Sequence, residues 1–369
     1  MDLFEDIGIS DGRLHPQYKT LRDSACYAPA RGMLSEIQEH FGDPDGNFVE
    51  QFQTTGFDAR TFELFLYAFF GAQAHTIDRT HKRPDFLITN GGINAAVEAV
   101  TASPPSNHGL HPYNPFPTEH KTADTEEYLR HALPVRLGSP LFSKLKQKYW
   151  TLPHVAGRPF VIAIQDFHAA GSLMTSSAPL ANYLFGSESK WYLDDQGNLV
   201  ISQSGLDTHR AHKEIPSGFF KQPDAENVSA VLFCNSGTIP KFNRIGQQGR
   251  YKSDEVRMLR YGTCYRHDPN AVKPNAYLYD VSEPDAHQET WSEGTVLIHN
   301  PNALLPLPEE WLGAGAEEAF VEGKHVTIWK EPFLPYSSLT QTYPGDVPDL
   351  VFERDAAELT EMLVAIFPP

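Results

Sequence analysis

The sequence has few cysteines and no long apolar run. Its 369 residues include three cysteines, Cys26, Cys234 and Cys264, which show no paired spacing. This argues against a disulfide-stabilised secreted protein and favours a reducing compartment. No apolar stretch approaches the length of a membrane span, and the opening Met-Asp-Leu-Phe-Glu-Asp is too acidic for a signal peptide. We therefore expect a cytoplasmic protein without a membrane partner.

Positive charge is also scarce. The chain has 30 Lys and Arg against 47 Asp and Glu, a formal net charge of −17. This excludes a histone-like protein that coats nucleic acid along its whole surface. Neither a Gly-Lys-Ser/Thr phosphate loop nor a His-Glu-x-x-His zinc motif occurs. The chemistry must therefore come from another arrangement of side chains.

Most of the interpretable signal lies in residues 57–101. Helical spacing from residue 57 onward predicts an amphipathic helix, with Asp58 as its N-cap and Glu63 at the border of the apolar face. The positions with this spacing are Phe62, Phe65, Leu66, Phe69 and Phe70.

Two predicted strands follow this helix. Residues 84–89 and 93–101 are mostly apolar, and Asn90-Gly91-Gly92 between them is a strong hairpin signal. Asp85 and Glu98 interrupt these strands, and burying a lone carboxylate is costly unless a metal or donors meet it. With Glu63, they could converge to hold Mg²⁺ against a phosphate. The alternative is a strand-end Asp and a Glu paired with an Arg.

This order of elements resembles the restriction-endonuclease-like PD-(D/E)XK nuclease superfamily over roughly residues 50–190. That family places an Asp at the start of one strand and Glu-x-Lys in the next. Pro84-Asp85 and Glu98-Ala99-Val100 match this pattern, with Val100 in the place of the Lys, and Glu63 matches an acidic residue of the preceding helix. The resemblance implies Mg²⁺ or Mn²⁺ on Asp85 and Glu98, and hydrolysis of a phosphodiester in nucleic acid, with DNA as the expected substrate.

The missing Lys has candidate replacements on the next predicted helix. Ser139-Pro140 suggests its start, and Leu141, Leu145 and Tyr149 follow at helical spacing. Lys144 and Lys148 lie four residues apart beside this apolar stripe. Because some members of the superfamily supply the catalytic cation from this helix, we predict Lys144 first and Lys148 second. The alternative is that both belong to a solvated lysine face.

Two windows, residues 128–165 and 227–253, contain no Asp or Glu. Such basic windows in an acidic chain are what a groove for a phosphate backbone needs, although chance clustering explains them as well. The residues predicted to bind nucleic acid are Lys148, Arg136, Lys241, Arg244 and Arg250.

The predicted fold is α/β. A restriction-endonuclease-like core (helix, three strands, helix, strand, helix) spans residues 50–190, with residues 75–80 as its first strand and a long insertion at 102–134. Residues 1–49 form an N-terminal extension and residues 191–369 a β-rich accessory region. Two functions remain open: a metal-dependent endonuclease, or a catalytically inactive nuclease-fold protein that acts as a binding or scaffold module. A homodimer or a protein partner also stays open.

Overall fold

The fold was obtained as a computed structural model, which describes residues 2–43, 45–103, 126–167 and 174–367. These residues form eight α-helices and fifteen strands. The helices are α1 Pro16–Asp23, α2 Ala28–Phe41, α3 Phe48–Gln53, α4 Phe57–Ala72, α5 Leu133–Leu145, α6 Ala178–Phe185, α7 Ile239–Gln248 and α8 Asp349–Ile366. The strands are β1 Thr76–Asp78, β2 Phe86–Asn90, β3 Ile93–Ala102, β4 Phe160–Asp166, β5 Ser187–Leu193, β6 Leu199–Gly205, β7 Thr208–Arg210, β8 Glu214–Pro216, β9 Ala230–Cys234, β10 Val256–Cys264, β11 Asn275–Asp280, β12 Thr295–His299, β13 Ala316–Val321, β14 Lys324–Trp329 and β15 Pro335–Pro344.

A mixed eight-stranded sheet organises the molecule, in the order β1-β2-β3-β4-β9-β12-β13-β14. The first three strands are antiparallel, whereas β3, β4 and β9 run parallel. Successive side chains of a strand face opposite sides of the sheet. In β4, Val161 and Ala163 pack with α4, and Ile162 and Ile164 pack with α5 and α6. Two cores therefore flank one sheet, and the predicted α/β class is confirmed.

The β2–β3 hairpin has the predicted position. Asn90 pairs with Ile93, so Gly91 and Gly92 form a two-residue turn. Both have positive φ, 58° and 80°, which a type I′ turn requires at its two central positions. This turn fixes the register that places Asp85 opposite Glu98, one step beyond the Phe86–Val97 pair.

The helix before β4 begins earlier than predicted. It starts at Leu133, so Pro140 lies inside α5, and the Ser139 hydroxyl donates to the Val135 carbonyl instead of capping an N-terminus. Likewise, Asp58 lies in the first turn of α4, whose N-cap is Gly56. The predicted order of helix, three strands, helix, strand, helix is nevertheless present as α4, β1–β3, α5, β4 and α6.

The C-terminal half extends the same sheet. Strands β9, β12, β13 and β14 continue it beyond β4. The other strands form the antiparallel sheet β11-β10-β15, on which α8 packs, and the hairpins β5–β6 and β7–β8. Most of the predicted insertion, residues 104–125, lies outside the described residues.

Candidate functional site

Helix α4 presents Glu63 beside the start of β2. Its side chain is buried, and each of its carboxylate oxygens meets an arginine: Oε1 accepts from Arg60 at 2.7 Å and Oε2 from Arg79 at 3.2 Å. Arg79 also donates from Nε to the Asp85 carbonyl at 3.3 Å and lies over the Phe41 ring. Glu63 thus holds an arginine that fixes the backbone of Asp85.

Strands β2 and β3 bring the other two predicted carboxylates together. The Asp85 N–H donates to Glu98 Oε2 at 3.3 Å, and the Ala99 N–H donates to Asp85 Oδ2 at 2.8 Å. Within the described parts of the chain, Asp85 Oδ1 accepts no hydrogen bond. The sequence predicted that these carboxylates could converge. The observed hairpin register explains why they do, because paired residues of an antiparallel ladder point to the same face.

Lys144 of α5 reaches the same point. Its Nζ donates to Glu98 Oε1 at 2.5 Å, and the Tyr149 hydroxyl donates to the same oxygen at 2.7 Å. Lys144 is a quarter exposed, whereas Glu98 and Tyr149 are buried. Val100, two residues after Glu98, packs instead in the apolar core formed with α5 and α6. Glu63, Asp85 and Glu98, with Arg60, Arg79 and Lys144, are called the carboxylate cluster below.

Burial makes the charged forms of two of these acids unfavourable. The pKa of Asp85 is raised well above its ordinary value, first by burial and then by the nearby charges of Glu63 and Glu98, with Lys144 acting in the opposite direction. Burial also raises the pKa of Glu63, although Arg60 and Arg79 oppose that effect. Three carboxylates are therefore close enough to disfavour one another's charge, which is characteristic of functional sites.

The donors fit a hard divalent cation that keeps part of its water shell. Within the described ranges, no group of three or more His, Cys, Asp or Glu side chains is placed so that it could hold a metal ion. Mg²⁺, however, is commonly bound by one or two carboxylates together with water and phosphate oxygens. Asp85 and Glu98 provide two carboxylates on paired strands, and Asp85 Oδ1 is available. The two oxygens of Glu63 are engaged by arginine, and both oxygens of Glu98 also accept hydrogen bonds, Oε1 from Lys144 and Tyr149 and Oε2 from the Asp85 N–H. A metal ion on Glu98 would therefore have to replace one of these donors.

Three of the predicted nucleic-acid contacts lie at the surface. Lys148 is half exposed and pairs with Asp224 at 2.8 Å. Arg250 is exposed and pairs with Glu36 at 3.2 Å. Arg136 lines a surface pocket of about 160 Å³ with His212. All three are accessible to a ligand.

The other two predicted contacts are buried and lie in a separate cluster. Lys241 and Arg244 of α7 both pair with Glu289, at 3.2 and 2.6 Å, and their side chains are 0% and 2% exposed. Arg260 of β10 adds a contact with Glu293 at 3.0 Å. Their basic window thus marks an internal ion-pair network, which removes Lys241 and Arg244 from the predicted nucleic-acid surface. These five residues are called the arginine cluster below.

Sequence patterns did not single out three residues of the site, Arg60, Arg79 and Tyr149. Only three-dimensional proximity identifies them, although Tyr149 occupies the predicted apolar stripe. A Gly-x-Ser-x-Gly pattern at residues 8–12 has no corresponding site. Its Ser10 is exposed and precedes a short 3₁₀ turn, in a segment that no strand precedes within the described residues, whereas a nucleophile elbow lies between a strand and a helix.

Comparison of the chain with protein-family models, with curated proteins and with solved structures found no match in any of the three. In the described residues, every helix is too short or too polar to cross a membrane.

Proposed function

We propose that the protein is a metal-dependent phosphodiester hydrolase that acts on nucleic acid, with DNA as the expected substrate. The observation that carries this proposal is the meeting of Asp85, Glu98 and Lys144 at one point, from two paired strands and the following helix. The element order α4, β1–β3, α5, β4, α6 and the resemblance to PD-(D/E)XK nucleases support the same proposal.

Each side chain of the site has a distinct role in this proposal. Asp85 and Glu98 would hold Mg²⁺ or Mn²⁺, which when bound supplies Lewis-acid polarisation and a water of lowered pKa. Tyr149 keeps Glu98 in position by donating to Oε1. Lys144, on that same oxygen, places a positive charge where it can stabilise the attacking or departing oxygen of the phosphodiester. Glu63 acts as a positioning residue through Arg79.

Calorimetry and a cleavage assay test the proposal. The parent protein should bind Mn²⁺ and convert supercoiled plasmid to nicked or linear DNA in the presence of Mg²⁺, and Asp85→Ala with Glu98→Ala should abolish both. The matched control is Glu353→Ala with Glu361→Ala, which removes two exposed carboxylates from α8. Equal Mn²⁺ binding by parent and site variant would refute the proposed metal site.

A second function, a catalytically inactive scaffold, is favoured by one specific observation. Val100 packs in the apolar core, at the position where PD-(D/E)XK nucleases carry their Lys. If the parent binds DNA but leaves it intact with every divalent cation supplied, the scaffold is the better description. The cleavage assay thus separates the two functions.

A further inference from the structure

Two loops beside the carboxylate cluster are fixed to each other through a pair of histidines. His81 follows β1 and His154 precedes β4, and their rings stack with centroids 3.8 Å apart and an interplanar angle of 2°. His154 Nε2 also lies 2.7 Å from the Arg83 carbonyl oxygen. The stack therefore joins the segment before Asp85 to the segment after α5.

These loops adjoin the proposed catalytic groups. Arg83 directly precedes Pro84-Asp85. Arg83 therefore lies two residues before the proposed metal ligand Asp85, and its carbonyl oxygen is in contact with His154.

Positive charge on these loops is only partly neutralised. Arg83 is exposed, and neither it nor Arg158 makes an ion pair within the described parts of the chain. Lys82 pairs with Asp45 at 3.1 Å. The remaining carboxylate nearby is Asp78, whose pKa is lowered chiefly by hydrogen bonds from Thr80 and further by His81 and Arg158.

No ion pair of the carboxylate cluster involves Arg83 or Arg158 within the described residues. Arg60 and Arg79 pair with Glu63, and Lys144 pairs with Glu98, at 2.5 to 3.2 Å, whereas Asp85 makes no ion pair there. Arg83 and Arg158 therefore place positive charge that is available to an anionic ligand beside the candidate phosphodiester site, in a chain of net charge −17.

We propose that Arg83 and Arg158, together with the stacked pair His81 and His154, form a rim that binds the phosphodiester backbone of nucleic acid beside the cleavage point. This inference rests on the proposed hydrolase function and assigns it a substrate-binding surface. The surface is distinct from the predicted basic window 227–253 that contains Lys241 and Arg244, whereas His154 and Arg158 lie in the other predicted window, 128–165. A guanidinium can donate two parallel hydrogen bonds to one phosphate. The His81 ring can donate an N–H to a neighbouring phosphate, while His154 Nε2 donates to the Arg83 carbonyl and holds the two loops together. Backbone contacts of this kind position a nucleic acid without selecting its sequence.

The test measures affinity for a fluorescent DNA duplex and for an RNA duplex of the same sequence, in EDTA, across a series of salt concentrations. Affinity falls as salt rises, so the slope of log affinity against log salt is negative. Arg83→Gln with Arg158→Gln should reduce the magnitude of this slope by about two units, since each lost phosphate contact reduces it by about one. Arg83→Lys with Arg158→Lys should keep most of the slope. The control Arg266→Gln with Lys273→Gln removes the same charge near β11 and should leave the slope unchanged. If the double Gln variant proves unstable, Arg83→Ser alone should reduce the magnitude of the slope by about one unit.

The outcomes for the rim and for the hydrolase are distinguishable, because binding is measured without metal. A reduced magnitude of the slope on both duplexes supports a backbone contact, even if no cleavage occurs under any condition. The proposed rim is refuted if the parent does not bind either duplex. It is also refuted if the double Gln variant has an unchanged slope, or a change in slope equal to that of the control variant. Metal-dependent cleavage with an unchanged slope would overturn the rim and leave the hydrolase in place.

Discussion

The carboxylate cluster and the arginine cluster are both buried groups of opposite charges, yet their acids respond in opposite ways. Burial would raise the pKa of Glu289, but Arg244, Arg260 and Lys241 overcome that effect and hold it well below its ordinary range. In the carboxylate cluster, the cations do not overcome burial, and the pKa of Asp85 is raised. In the arginine cluster, the cations stabilise the charged form of Glu289. In the carboxylate cluster, the cations do not compensate for the burial of Asp85.

This difference separates a structural role from a candidate functional one. Glu289 is completed by the protein itself, since three cations from α7 and β10 surround it. Asp85 has a backbone N–H as its hydrogen-bond donor and two carboxylates as neighbours, so a divalent cation would relieve its charge. Cations close together in sequence, such as Lys241 and Arg244, therefore indicate a nucleic-acid surface only when they are exposed.

The largest effect is expected from Glu289→Gln. This change leaves Lys241, Arg244 and Arg260 buried with Glu293 as the remaining anion of their cluster, and removal of one partner of a buried pair typically costs about 3–5 kcal/mol. Urea denaturation should show this loss, whereas Glu36→Gln, which breaks an exposed pair, should cost under about 1 kcal/mol. Similar stabilities for the two variants would invalidate the proposed structural role of the arginine cluster.

Lys144→Ala should have the next largest effect, in this case on rate. Removing a charge placed at a developing oxyanion typically slows the reaction about a hundredfold, while Mn²⁺ binding at Asp85 and Glu98 should persist. Lys146→Ala is the control, because Lys146 is exposed and lies over the Phe142 ring. Val100→Lys combined with Lys144→Ala should restore part of the activity, since residues 98 and 100 share a strand face. Full activity of Lys144→Ala would show that this cation does not act in the reaction.

Asp85→Asn should stabilise the metal-free protein while abolishing Mn²⁺ binding. Because its pKa is raised in the folded protein, Asp85 stabilises the folded state at pH values below its ordinary pKa of 3.8. This contribution is lost as the pH rises through the raised pKa. The gain from Asn should therefore be present at neutral pH, on the order of 1 kcal/mol, and disappear in acid. Thermal melts in EDTA at several pH values measure this. A destabilised variant at pH 7 would show that Asp85 is satisfied in its charged form, like Glu289.

The smallest effect is expected from Lys148→Gln. Its pair with Asp224 is about half exposed on both sides, and exposed pairs contribute about 0.2–1 kcal/mol. Urea denaturation should show a loss within that range, far below that of Glu289→Gln. A loss of several kcal/mol would contradict the view that burial separates the two kinds of pair.

Local patterns predicted the elements that carry the candidate site. The apolar spacing of α4 and the Gly91-Gly92 turn were sufficient because a helix face and a two-residue hairpin are specified by nearby residues. The start of α5 was predicted incorrectly. Ser139-Pro140 resembles a helix start, but the preceding turns are helical as well, and Leu133 and Leu137 are buried in the core formed with α6.

The sequence by itself determined the order of helices and strands in the core and the convergence of Asp85 and Glu98, because local patterns specify these elements. It also indicated Lys144 of the next helix, which contacts Glu98 in the structure. Only the tertiary structure decided which charges are buried. Lys241 and Arg244 stand in an acid-free window, but Glu289, far along the chain, neutralises them inside the protein. Arg83 and Arg158, in contrast, keep their charge without an ion-pair partner within the described residues. A charge pattern along the chain cannot separate these cases, because the free energy of a charge depends on burial and on partners that folding brings from distant positions.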